Sequence, residues 1–267
     1  MAKLGIIGGS GLYAVPGFRL LEEQAVSTPY GEPSGQYIMA VPEGPGGEGR
    51  SVVFLPRHGA KHSIPPHKVN YRANVWGMRA LGAERILGVN AVGAIDTGLP
   101  PGSIALPDQA IDLTQGARES TFYDGQDVVH IDFTDPYCPE IRSVLMEAAK
   151  AEGVLVFNGA TYVCTNGPRL ESRAEIEFFR RGGGHIVGMT GMPEAALARE
   201  LQLCYASVCV VTNFAAGVSG EKLTTTEVVE TMAKSTSAVM ALIKRALSLM
   251  PSQRSCHCKD ALSGTRL

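Results

Sequence analysis

A single α/β domain is the fold class this sequence predicts, and three observations carry it. Apolar runs of strand length alternate with segments of helical period along most of the chain. Several of those runs end in glycine or small residues followed by a polar side chain, the place where open α/β sheets gather ligands. The chain has 267 residues, 45% of them hydrophobic. That is enough to bury one sizeable core, and no internal repeat or clean linker divides it.

The elements follow in order. Lys3–Ile7 reads as a strand running into Gly8-Gly-Ser-Gly11. Tyr37–Ala40 and Ser51–Leu55 read as a hairpin-like pair whose tip is the Gly/Pro-rich stretch Val41–Arg50. Val69–Leu81 places Val69, Ala73, Trp76 and Ala80 at helical spacing and leads into the strand Arg85–Val89. Beyond it come strand Ala105–Ile111, helix Glu140–Glu152, strand Ala160–Thr165, helix Ser172–Arg181 and strand His185–Met189. Helix Pro193–Leu201, strand Tyr205–Thr212 and the long helix Thr225–Leu249 complete the series. Pro193 and the Thr224–Glu227 run suit helix starts, and Pro251 marks the exit from the last helix.

The formal charge of −2 supplies no basic field for nucleic acid. No apolar run reaches membrane-spanning length, and Met1-Ala-Lys-Leu leads straight into a strand, so a cytoplasmic enzyme is expected. Of six cysteines, Cys138, Cys164, Cys204 and Cys209 lie in or beside apolar segments and read as small buried hydrophobes. Cys256-His-Cys258 sits in a Ser/Arg-rich tail. It reads as a functionally silent end or a labile redox pair; with no second Cys/His pair at zinc-finger spacing, no metal is expected. Deleting residues 252–267 is accordingly expected to leave activity intact.

Four strand ends carry anion-binding chemistry. Gly5-Ile-Ile-Gly-Gly-Ser10 lets backbone N–H groups and the Ser10 hydroxyl approach an anion closely. Its glycines miss the G-x-G-x-x-G dinucleotide spacing, which makes a nicotinamide-dependent oxidoreductase the weaker alternative. Arg57 and His58 follow a second run, and a guanidinium grips phosphate bidentately. Asn90 and Ala91 close a third, and Met189 with Thr190 a fourth. Two further residues match a purine edge. Glu171 precedes a helical stretch and can accept from ring N–H groups, while Asn213, closing Cys209-Val-Val-Thr-Asn213, donates and accepts at once. Hypoxanthine and guanine offer the complementary N1–H donor and O6/N7 acceptors.

In combination these motifs resemble trimeric purine nucleoside phosphorylases, in the superfamily that also holds methylthioadenosine phosphorylase. The likeness runs from Gly5 to about Leu249 and includes Arg57-His58-Gly59, Tyr123-Asp-Gly125, Gly188-Met-Thr190 and Thr212-Asn213. It implies a single domain over residues 1–250 with a mixed, partly barrel-like sheet flanked by helices, followed by a tail at 251–267. It implies a homotrimer, with pairing of trimers left open, and no metal or cofactor beyond inorganic phosphate as co-substrate. Ser10, Arg57, His58, Asn90, Ala91 and Thr190 would hold phosphate, Met189 would lie against the ribose, and His130 would reach a neighbouring subunit's sugar pocket. Methylthioadenosine phosphorylases carry Ser at the position of Glu171, Asp at that of Asn213 and a second Asp at that of Ala215. This chain therefore resembles the 6-oxopurine enzymes at the base, with methylthio-nucleosides the alternative substrates. Thr226 falls near the position that selects the 5′ substituent.

Overall fold

The computed structural model describes residues 3–12, 15–44, 50–125, 127–220 and 224–266. The expected alternation is present, beginning with strands β1 (Lys3–Gly8), β2 (Phe18–Gln24), β3 (Tyr37–Pro42) and β4 (Val52–Pro56). Helix α1 (Tyr71–Ala80), strands β5 (Ala83–Ala94) and β6 (Ile104–Asp112), helix α2 (Pro139–Glu152) and strand β7 (Val156–Cys164) follow. The chain continues through α3 (Arg173–Arg181), β8 (Ile186–Gly188), α4 (Glu194–Glu200), β9 (Cys204–Phe214) and α5 (Thr225–Leu249).

The nine strands among the described residues form one mixed sheet in the order β2-β3-β4-β1-β5-β8-β7-β6-β9, and β5 pairs in addition with β9. That extra pairing closes β5-β8-β7-β6-β9 into a ring, so one half of the sheet is a barrel and the other an open, twisted extension. β5 and β9 run parallel through ten register pairs from Arg85↔Cys204 to Ala94↔Phe214. Almost every residue of both is buried. Strands covered on both faces read as unbroken apolar runs, which is why periodicity alone finds them without revealing their partners. Helices α2 and α5 cover one face around Leu145, Leu242 and Ile243. α1 and α4 cover the other around Val75, Met78 and Leu197.

Two expectations need correction. β2 has no counterpart in the sequence reading: beyond Phe18 its residues are exposed, so no alternation marks this edge strand. β5 runs to Ala94 rather than stopping at Val89, which places Asn90 within the strand. In the tail, Cys256 and Cys258 pack into the same core cluster as α2 and α5. The hairpin tip at 45–49 lies outside the described residues. No helix among the described residues is long and apolar enough to cross a membrane.

Candidate active site

A cavity of about 290 Å³ opens where β1, β4, β5, β8 and β9 deliver their ends, and it gathers most of the expected residues. Ser10, His58, Ala91, Glu171, Met189, Thr190, Asn213 and Ala215 all line it. Four expected residues do not: Arg57, Asn90, Thr226 and His130.

Arg57 is fully buried beneath the cavity. Its Nε donates to Glu194 Oε2 at 2.8 Å and its Nη2 to Glu194 Oε1 at 2.9 Å. Nη1 and Nη2 also donate to the carbonyls of Val89 and Ile7. The guanidinium thus meets a carboxylate in this structure, with four of its five N–H groups engaged. Burial alone would lower the Arg57 pKa, but Glu194 more than reverses this and keeps the guanidinium charged. Tyr205 Oη donates to the same Glu194 at 2.8 Å. The cluster fits because Gly88 carries no side chain: a Cβ there would come within 2.2 Å of Tyr205 Oη and 2.9 Å of Glu194 Oε1. Gly9, in the turn after β1, sits over the cluster, where a Cβ would lie 3.0 Å from Arg57 Nη1.

Asn90 also acts from behind. Its Oδ1 accepts from the Thr190 hydroxyl at 2.9 Å and its amide donates to Ser207, so it fixes Thr190 while staying buried. Thr224, the N-cap of α5, and Val228 in its first turn reach the cavity. Four residues apart, they share a helix face that Thr226 leaves, and Thr226 is exposed. His130 is exposed too, and its backbone N–H donates to the Thr265 carbonyl.

At the base end, Thr212 Oγ1 lies 2.8 Å from Asn213 Oδ1, and Asn213 Nδ2 donates to Phe214 O at 2.8 Å. These contacts fix which way the amide faces and leave one N–H and one lone pair for a ligand. Glu171 accepts from the Thr165 hydroxyl at 2.7 Å through Oε1. It directly precedes the α3 capping box, in which Ser172 and Glu175 satisfy each other's backbone N–H groups. That cap pins the chain just where Glu171 must point inward. Arg118, which no motif singled out, holds the strand-end loop. It donates to Asn166 O at 2.8 Å, Asn166 Oδ1 at 3.0 Å and Met192 O at 2.7 Å. An arginine in a polar loop carries no sequence signal for that role.

His58 Nδ1 lies 2.8 Å from Ile64 O. A carbonyl only accepts, so Nδ1 bears the proton and Nε2 is left as an acceptor. Burial, then the Arg57 charge, lowers its pKa from 6.5 to about 4, so the ring is neutral at pH 7. The unfolded chain therefore binds the extra proton first. The stability that neutral His58 contributes is complete above pH 6.5 and is lost as pH falls towards about 4. As pH falls through that window, wild type should lose up to about 3 kcal/mol of unfolding free energy relative to His58→Gln, as measured by denaturant titration. Parallel acid profiles would show that the ring titrates normally.

Residues 3–248 match the family model described as "Phosphorylase superfamily", and the chain belongs to that family of nucleoside-cleaving pentosyltransferases. A protein named "Probable S-methyl-5'-thioinosine phosphorylase" from Thermodesulfovibrio yellowstonii is 54% identical over 260 residues, covering 97% of this chain and 96% of that protein. The "6-oxopurine nucleoside phosphorylase" of Pyrococcus furiosus is 50% identical over 271 residues, covering 99% of each. Among solved structures, methylthioadenosine phosphorylase from Schistosoma mansoni in complex with adenine superposes with a TM-score of 0.91 at 33% identity, over 100% of this chain and 99% of that one. Family membership displaces the oxidoreductase alternative.

Proposed function

We propose that the protein cleaves 6-oxopurine nucleosides with inorganic phosphate, releasing hypoxanthine or guanine and a pentose 1-phosphate. The observation that carries this reading is Glu171 and Asn213 lining one cavity, each oriented by a threonine hydroxyl. Glu171 accepts from N1–H, and from the exocyclic amine of guanine. The remaining Asn213 N–H and lone pair meet the O6/N7 edge. Ser10, Thr190, the Ala91 backbone and neutral His58 surround the phosphate, with His58 Nε2 accepting from a phosphate hydroxyl. Arg57 supports the floor of that subsite from below, and Asn90 holds Thr190.

Displacement at C1′ passes through a transition state with oxocarbenium character, so the barrier falls where developing charge meets fixed partners. Electron density moving onto the leaving purine meets the Asn213 amide, and the surrounding polar groups position a weak nucleophile. The reaction proceeds without a protein nucleophile, metal or cofactor. Phosphate-dependent release of hypoxanthine from inosine tests this directly; inosine binding with no base release would mark a binding protein instead.

A second reading keeps the base and changes the sugar. Val228 puts an apolar side chain on the cavity wall beside Thr224, a surface suited to a 5′-methylthio group. Comparing kcat/KM for inosine and S-methyl-5′-thioinosine separates the two readings.

The assembly we propose is a homotrimer in the cytoplasm, with trimers able to pair. His130 is exposed rather than buried, free to reach a neighbouring protomer's sugar pocket. Phe122, with its ring centroid 4.9 Å from that of Tyr30, and Tyr123 are half-buried and would form part of the contact between subunits. Sedimentation at assay concentrations should give a trimer or hexamer. A fully active monomer would rule this assembly out.

A further inference from the structure

The cysteines that the proposed chemistry does not use converge in space. Cys138 forms the N-cap of α2, Cys204 opens β9, and Cys256 and Cys258 belong to the tail. Their four Sγ atoms all lie within 4.8 Å of one another, and all four residues are buried. The other two cysteines are engaged elsewhere: Cys164 Sγ accepts from Met192 N–H, and Cys209 contacts Ser207.

Mutual proximity of four thiols differs from pairing. A disulfide draws two sulfurs to about 2.05 Å and leaves the other pair apart. Zinc at about 2.3 Å from each of four thiolates sets them at the corners of a tetrahedron with edges of about 3.8 Å. The Cys204–Cys256 separation of 3.3 Å is near such an edge and far from a bond. A direct Cys256–Cys258 bond would close a strained small ring, as the one-residue spacing implies.

The surroundings hold the ligands ready. Ser255 donates from both N–H and Oγ to Glu140 Oε2 at 2.7 Å, beside Cys256. Glu140 in turn accepts from Arg85 at 3.0 Å. Arg254 donates to Gln202 O at 2.7 Å, and Gln202 donates back to Lys259 O at 2.5 Å, on the far side of Cys258. Arg85, the register partner of Cys204 on β5, is buried with its Nε lacking a hydrogen-bond partner, and it brings positive charge to the end of the sheet where four thiolates would gather.

We propose that Cys138, Cys204, Cys256 and Cys258 bind one zinc ion as a closed tetrathiolate that staples the C-terminal tail to α2 and β9. With four protein ligands the site has no open position, so the ion is structural and lies outside the reaction. Long sequence separations conceal it: each ligand or ligand pair comes from a different segment, and the tail looks unpartnered when read alone.

The test uses the full-length protein, reduced under anaerobic conditions and titrated with Co²⁺ alone and then Zn²⁺. One Co²⁺ per chain should bind with thiolate charge-transfer absorption and tetrahedral d–d bands, and Zn²⁺ should bleach them. Cys258→Ser should weaken binding beyond the ~10–100-fold that loss of an outer-shell partner costs, whereas Cys164→Ala should leave it unchanged. Zinc should raise the thermal midpoint of wild type and protect the tail from protease. Reduced wild-type protein that takes up no Co²⁺, or whose Co²⁺ spectrum lacks thiolate bands, overturns the proposal. So does protein isolated with these four cysteines as two disulfides that stays metal-free after reduction. The wild-type spectrum decides the matter even if Cys258→Ser fails to fold.

Discussion

Replacing Asn213 with aspartate is expected to lower kcat/KM for inosine by about 10²–10³-fold, the range that follows loss of one preorganised transition-state donor. The geometry supplies the reason. Asn213 Nδ2 donates to Phe214 O, and Oδ1 lies 2.8 Å from the Thr212 hydroxyl. A carboxylate in that place would set an anionic oxygen against the Phe214 carbonyl and offer O6 no donor. Taking up a proton removes the negative charge, and the resulting acid can share its single proton with N7 while its other oxygen accepts from a 6-amino group, an arrangement that suits adenine and leaves O6 of hypoxanthine without a donor. Activity on adenosine should therefore rise relative to inosine as inosine activity falls. Glu171→Ser in the same chain should narrow the gap further by removing the negative charge that faces an unprotonated N1. Steady-state kinetics on inosine and adenosine with the single and double variants check this. An Asn213→Asp enzyme with an unchanged inosine-to-adenosine ratio would show that the amide does not read the base.

The second large effect concerns stability. Glu194→Ala should cost about 3–5 kcal/mol, because it leaves a fully buried Arg57 charge without its partner. Tyr205→Phe, which removes a single hydrogen bond to the same carboxylate, should cost only about 1 kcal/mol. Denaturant unfolding with phosphate absent separates this from any effect on binding. The KM for phosphate of Glu194→Gln, if that variant folds, should also rise, since Arg57 would no longer be fixed beneath Gly9 and Ser10. A Glu194→Ala protein within 1 kcal/mol of wild type would mean that Arg57 finds other partners, and the fixed floor would be wrong.

Those two clusters illustrate what the sequence conveys and what it withholds. The strand and helix alternation was legible because burial imposes period and composition on each element separately. α5 matches its expected span, Thr225–Leu249, residue for residue, since both ends carry strong signals: the Thr224 cap and Pro251 beyond the exit. The closing β5–β9 pairing was not legible, because two strands buried on both faces carry no mark of which neighbour each chooses. Glu171 and Asn213 could be read from their chemistry at strand and helix boundaries. Arg57 could be found but not its partner, since Glu194 lies 137 residues further on. The same limit hid the four-cysteine cluster and the buried contacts of Arg57 and Asn90. Both are buried supports for residues that do line the cavity. Thr226 lies outside the cavity for a different reason: it is exposed while Thr224 and Val228 line the wall, a distinction that needs the register of the α5 start.

The most direct test of the account is the base preference of the unmodified protein, measured as kcat/KM for inosine against adenosine at saturating phosphate. A site built on hydrogen bonds rejects an analogue that inverts its donors and acceptors by about 10⁴-fold or more, so inosine should exceed adenosine by that order. The same direction should hold for S-methyl-5′-thioinosine over S-methyl-5′-thioadenosine, whatever the 5′ preference. Comparable rates on the 6-oxo and 6-amino members of both pairs would contradict the reading of Glu171 and Asn213 and place the chain with the methylthioadenosine enzymes.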